Sequence, residues 1–177
     1  IFSKSVAGEI IYENNLEKKE VFLYNKLTNE LFTGFVEFKY RINWSKVEFC
    51  NHIEKIKHPI VREALKLFKF DFPIEISTFS DIPANAGLGS SSAFAVGLVS
   101  ALSSLQGKKL NKHEIASLAA HLEINILKRP VGKQDHFASS YGDMNIIKFY
   151  KNETVKVQPI KPKKELLKDL EDKLLLF

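Results

Sequence analysis

Between residues 83 and 93 the chain reads Pro-Ala-Asn-Ala-Gly-Leu-Gly-Ser-Ser-Ser-Ala, and this run restricts the fold more than any other. It follows Phe72–Phe79 (FPIEISTF), which reads as a strand with Ile74 and Ile76 on one face. It opens Ala93–Leu105, which is apolar on most sides and so predicts a buried helix, stopped by Gly107. Gly87 and Gly89 let the backbone turn and come close to a ligand. Leu88 lies between them, and Ser90, Ser91 and Ser92 fall where a helix start leaves N–H groups unpaired. Those N–H groups and the helix dipole favour a phosphate, and the hydroxyls suit a hard cation such as Mg²⁺. The run is not a Walker A loop, because no Gly-Lys-Ser/Thr follows. Nor is it the dinucleotide fingerprint, because Ser92 stands at the third glycine position. On these residues alone, a Gly turn with a Ser cap and no ligand is the other reading.

Two carboxylates downstream carry further signals. Asn111, with Glu114 three residues on, has capping-box spacing. The helix it starts carries Ile115, Leu118, Ala119, Leu122 and Ile126 as one stripe. At about 100° per residue, Glu123 sits about 80° from Ile115, at the edge of that stripe. A half-buried carboxylate needs a partner, either Lys128, Arg129, or a metal held together with a Ser hydroxyl. Pro130 and Gly132 then break the chain. Asp135, in Val131-Gly132-Lys133-Gln134-Asp135-His136-Phe137, reads either as a helix cap or as a carboxylate that takes a substrate hydroxyl proton.

The remaining pattern is mixed. Phe35–Ile42 is partly alternating and predicts a strand, and Pro59 opens a helix along Ile60, Val61, Ala64, Leu65 and Phe68. Met144–Tyr150 and Thr154–Val157 predict a hairpin around Lys151-Asn152, and a charged helix follows at 163–171. Strands and helices alternate irregularly, which is the α+β class.

Composition narrows the partners. The 177 residues fit one domain, and no apolar run reaches the roughly 18 residues that would span a bilayer, so no membrane partner is expected. The net charge is +5, but the densest basic piece, Lys161–Lys164, is followed by Glu165, Asp169, Glu171 and Asp172. That is a solvated helix face rather than a nucleic-acid stripe, so no nucleic acid is expected either. A modest positive excess suits an anionic small substrate. The single cysteine, Cys50, excludes an internal disulfide and thiolate-rich metal sites and suits a reducing cytoplasm. Trp44 and the many Phe residues read as core, and His52, His58, His113 and His121 show no metal spacing. The opening Ile1-Phe2-Ser3 and the closing apolar run Lys173–Phe177 read as cut ends. The expectation is a fragment, with one domain over 1–172 and the start of another at 173–177.

Pro83–Ala93 resembles the second motif of the GHMP kinases, the superfamily of galactokinase, homoserine kinase and mevalonate kinase. The order of that motif, the helix with Glu123, Val131–Asp135 and Met144–Phe149 is similar to one branch, the bacterial sugar kinases acting on heptose 7-phosphate. Tyr40-Arg41-Ile42 and His58–Leu65 also fit it, so the resemblance covers residues 35–177. It implies the GHMP N-terminal domain, an α+β unit similar to the second domain of ribosomal protein S5. It implies transfer of the ATP γ-phosphate, with Mg²⁺, to a sugar hydroxyl, the anomeric one of a heptose 7-phosphate in that branch. Gly87, Leu88, Gly89, Ser90, Ser91 and Ser92 match the phosphate loop, Ser91 and Glu123 the metal ligands, and Asp135 the catalytic carboxylate. Lys133 and His136 are then candidate sugar-binding residues. The family's first motif is not found in this chain, and its third belongs to a C-terminal domain. Asp143 stands where the branch has a second Gly, and His136 where it has Gln. Other readings are a fucokinase-like or galactokinase-like enzyme, or a non-catalytic RNA- or sugar-binding module of the same fold.

Overall fold

The computed structural model describes residues 38–70, 72–80 and 87–174, and the backbone of 20–25 and 30–35. Strands β1 (Glu20–Asn25) and β2 (Glu30–Phe35) form an antiparallel hairpin of their own. Next come β3 (Tyr40–Asn43), β4 (Val47–Cys50), a 3₁₀ turn at Ile53–Lys55, α1 (Pro59–Leu67) and β5 (Ile74–Ser77). These strands form one sheet in the order β4-β3-β5, with β3 antiparallel to β4 and parallel to β5. Helices α2 (Ser90–Leu105) and α3 (Lys112–Ala120) follow, and α3 runs on into a π-helical turn, His121–Ile126. The described chain ends with α4 (Gln134–Tyr141), the antiparallel pair β6 (Asn145–Phe149) and β7 (Val155–Pro159), and α5 (Lys164–Glu171). The α+β class expected from the sequence is what forms.

The core grows from the register of the sheet. Tyr40 stands beside Ile74 and Ile42 beside Ile76, and all four are buried on one face. Ile60, Val61, Ala64 and Leu65 of α1 and Ala95, Leu98, Val99 and Leu102 of α2 pack into the same cluster. Helix α2 touches α1, α3 and α4, so an all-round apolar surface is what its place requires. It ends as Gly107 adopts φ 70°, letting Lys108 N–H reach Ser103 O and Gly107 N–H reach Ser104 O, both at 2.9 Å. The capping box of α3 is complete, with Asn111 and Glu114 each accepting the other's backbone N–H. A second cluster joins Ala116 of α3, Phe137 of α4 and Val155 of β7, and so fixes α4 against α3.

A buried polar knot ties the sheet to the start of α2. Glu48 accepts hydrogen bonds from Trp44 Nε1, Lys57 N–H and His58 N–H at 2.8, 2.6 and 3.2 Å. The His58 ring packs between Trp44 and Phe94 of α2 and accepts the Val61 N–H at the head of α1.

Two expectations need correction. The strand expected over Phe35–Ile42 is two strands, because β2 pairs in one sheet and β3 in another, and Phe38 and Lys39 join neither; Val36 and Glu37 lie outside the described residues. Not every Phe is core, since Phe79 is 70% exposed. Residues 175–177, at the end of the apolar run Lys173–Phe177, lie outside the described residues.

Candidate active site

The N-terminus of α2 is built differently from that of α3. Its first residue outside the helix is Gly89, in left-handed backbone at φ 67°, and no side chain caps the helix. The first turn carries no acid. Among the described residues nothing caps the first N–H groups of this 16-residue helix, and the dipole favours an anion there. Gly87 (φ 71°) and the exposed Leu88 lead into this end, whereas Pro83–Ala86 lie outside the described residues. Ser90 and Ser91 are partly exposed. Ser92 is buried, so its hydroxyl faces the protein and only its backbone N–H is placed to serve a phosphate.

Helix α4 brings Asp135 to the same end. A β-carbon built on Gly89 would lie 3.1 Å from Asp135 Cγ and Oδ2, so the exposed carboxylate rests directly against the glycine. Residue 89 must therefore be Gly twice over, for its positive φ and for the space that Asp135 occupies.

Glu123 lies behind Ser91. Its side chain is fully buried, deeper than uniform α-helical phase predicts. The reason is the π turn: Leu127 N–H bonds to Leu122 O, and i→i+5 bonding turns the chain less per residue than an α-helix does. Glu123 is thereby kept closer to the inward face. Ser91 Oγ donates to Glu123 Oε1 at 2.5 Å. Arg129 Nη1 donates to both, at 2.6 Å to Ser91 Oγ and 2.7 Å to Glu123 Oε1. On the other side His136 Nε2 lies 2.9 Å from Glu123 Oε2. Burial pushes the Glu123 carboxyl up, but hydrogen bonds from His136 and Ser91 and the charges of His136 and Arg129 outweigh it and hold the pKa at about 2. Glu123 is therefore a carboxylate at neutral pH.

Of the residues singled out in the sequence, the structure brings together Gly87, Gly89, Ser90, Ser91, Glu123 and Asp135. It places one other differently. His136, expected to face a sugar, is fully buried and bonded to Glu123, because the turn of α4 that points Asp135 outward points the next residue inward. Lys133 pairs with Glu153 in the turn between β6 and β7. Arg129 was one of three partners open for Glu123, but its bridge to Ser91 had no sequence signal.

Ser91 Oγ and Glu123 Oε1 are hard oxygen donors in contact, already shared by one cation. That chemistry fits Mg²⁺, which takes few protein oxygens and completes its shell with water and phosphate. Among the described residues no group of three or more His, Cys, Asp or Glu is arranged to hold a metal. Thiolate- or imidazole-rich metals therefore have no site among them.

The site thus joins a glycine-led helix end to one exposed and one buried carboxylate within an α+β domain. The chain matches the GHMP kinases N terminal domain over residues 51–143 and belongs to that family. It is 35% identical over 102 residues to the D-glycero-alpha-D-manno-heptose 7-phosphate kinase of Campylobacter jejuni, covering 58% of this chain and 30% of that protein. It is 44% identical over 69 residues to the mevalonate kinase of Pyrococcus furiosus, covering 36% and 21% respectively. Among solved structures, a D-glycero-D-manno-heptose 1-phosphate kinase from Bacteriodes thetaiotaomicron superposes with TM-score 0.65 at 25% identity, covering 75% of this chain and 47% of that one. The chain thus spans less than half the length of each of these relatives. Among the described residues no helix is long and apolar enough to cross a membrane.

Proposed function

We propose that this chain is the ATP-binding part of a small-molecule kinase that moves the γ-phosphate of ATP to a sugar hydroxyl. The observation that carries the reading is the contact of Asp135 with Gly89 at the head of α2, where Ser91, two residues further on, is bonded to Glu123. Phosphate oxygens take backbone N–H groups of Gly87–Ser92. Ser91 and Glu123 would hold Mg²⁺, which would supply charge neutralisation at the phosphates. Asp135 accepts the proton of the attacking hydroxyl and fixes its direction toward the phosphate. Positioning supplies most of the rate.

The preferred acceptor is the anomeric hydroxyl of a heptose 7-phosphate, supported by the heptose kinases among the relatives. The exposed Lys133–Glu153 pair is weakly held, so Lys133 is available to a sugar phosphate. The similarity to mevalonate kinase and to a galactokinase of Thermosipho africanus supports a second reading, the same chemistry on another alcohol. Such an enzyme works in the cytoplasm, where ATP is available and Cys50 stays reduced.

The test is ³¹P NMR of the intact protein with Mg·ATP and a panel of sugars, sugar phosphates and mevalonate. A new anomeric phosphate signal on heptose 7-phosphate is the expected result. Transfer only to another acceptor keeps the mechanism and changes the substrate. No transfer to any acceptor by the folded protein overturns the kinase reading in favour of a binding module.

A further inference from the structure

Arg129 occupies the two oxygens, Ser91 Oγ and Glu123 Oε1, that would hold the metal. Glu123 Oε1 has two lone pairs, and both are taken, one by the Ser91 hydroxyl and one by Arg129 Nη1. Ser91 Oγ also accepts from Arg129. A divalent ion cannot reach these oxygens while the guanidinium holds them, because the two positive charges would meet at contact distance in a poorly solvated site.

The arginine also has a way out. Glu123 is fully buried, but the Arg129 side chain is one-third exposed. Its backbone is pinned to the π turn by a 2.9 Å bond from Arg129 N–H to Glu123 O, and Lys128 before it takes left-handed backbone at φ 55°. The main chain therefore stays in place while the long side chain is free to swing. The nearest place for an anion is the head of α2, of which Ser91 is the second residue. A nucleotide polyphosphate arriving there offers the guanidinium planar, bidentate acceptors in exchange for Ser91 and Glu123.

We infer that Arg129 is a tethered cation that reserves the Ser91–Glu123 pair, so that a divalent metal binds only together with a nucleotide phosphate that draws the arginine away. Free metal is refused, and Arg129 then serves the phosphates. This rests on Ser91 and Glu123 being the metal ligands. Nothing in the comparisons assigns a role to Arg129.

The test is Mn²⁺ binding to the intact protein, followed by electron paramagnetic resonance with and without a non-hydrolysable ATP analogue. Without nucleotide, Arg129→Gln should bind Mn²⁺ about tenfold or more tighter than wild type, within the usual range of coupling between two sites. With the analogue present the gap should close or reverse. Equal Mn²⁺ affinity of the two proteins without nucleotide overturns the inference. Ser91→Ala and Glu123→Gln separate the two claims. If both still bind Mn²⁺ normally with the analogue, the ligand assignment falls and the inference falls with it. If both lose Mn²⁺ while Arg129→Gln behaves as wild type, only the inference falls. A measurement on wild type avoids any folding defect of the variant: the ¹⁵N resonance of the Arg129 guanidinium should stay put on adding Mg²⁺ alone and move on adding nucleotide. Movement with Mg²⁺ alone contradicts the inference.

Discussion

Asp135 touches Gly89 across 46 residues of sequence, with the carboxyl 3.1 Å from where a β-carbon on the glycine would sit. The proposed base and the proposed phosphate cradle are thus one contact. Gly89→Ala and Gly87→Ala separate two effects that usually arrive together. Both glycines have φ near 70°, so either alanine pays strain of about 1–2 kcal/mol. Only at residue 89 does the new methyl meet Asp135, because among the described residues nothing lies within 4 Å of a β-carbon on Gly87. We expect similar losses of unfolding free energy in urea, and a fall in kcat of at least about tenfold more for Gly89→Ala, since misplacement of a reacting group is costly. Equal kcat for the two variants would contradict the placement of Asp135.

The buried carboxylate makes a prediction about stability alone. Glu123 pairs with Arg129, His136 and Ser91. Removing one member of a buried ionic cluster strands the others, so Glu123→Ala should cost about 3–5 kcal/mol in denaturant unfolding. Ser91→Ala removes one hydroxyl between a carboxylate and a guanidinium and should cost only about 1–2 kcal/mol. The order of the two losses is the check, and a Glu123→Ala loss below that of Ser91→Ala would show that the cluster is not formed.

His58 gives a pH dependence. Burial between Trp44 and Phe94 pushes its pKa below the usual histidine value of 6.5, opposed by Glu48 and aided by Arg129. Its Nδ1 accepts the Val61 N–H, which only the unprotonated nitrogen can do. The unfolded chain therefore takes up a proton on this residue at a higher pH than the folded one. The stability this histidine contributes is present above pH 6.5 and is lost as pH falls from there toward its lowered folded pKa. His58→Asn keeps a cap acceptor and removes the titration, so its unfolding free energy should fall less steeply across that window. Parallel pH profiles for wild type and variant would rule out this role.

How much could be read from the sequence follows from distance along the chain. The capping box at Asn111 and Glu114, the stop at Gly107 and the strand–loop–helix run ending in α2 were legible because each is settled within a few residues. The Ser91–Glu123 pairing, 32 residues apart, was reached only through the family resemblance, since no local pattern encodes it. The inward turn of Glu123 was under-read because a π turn has no residue signature and shifts the helical phase. His136 reads from the sequence as a substrate contact for a similar reason. Next to Asp135 it looks like part of the same surface, yet a rotation of about 100° places neighbouring helical residues on different faces.

The central claim is that Asp135 handles the proton of the acceptor hydroxyl at the head of α2. Its most direct measurement is the turnover of Asp135→Asn in the intact protein, read by ³¹P NMR beside its nucleotide affinity. The account predicts that nucleotide binding stays near wild type and kcat falls by about 10²–10⁴-fold, the usual range for loss of a general base. Turnover near wild type would contradict it.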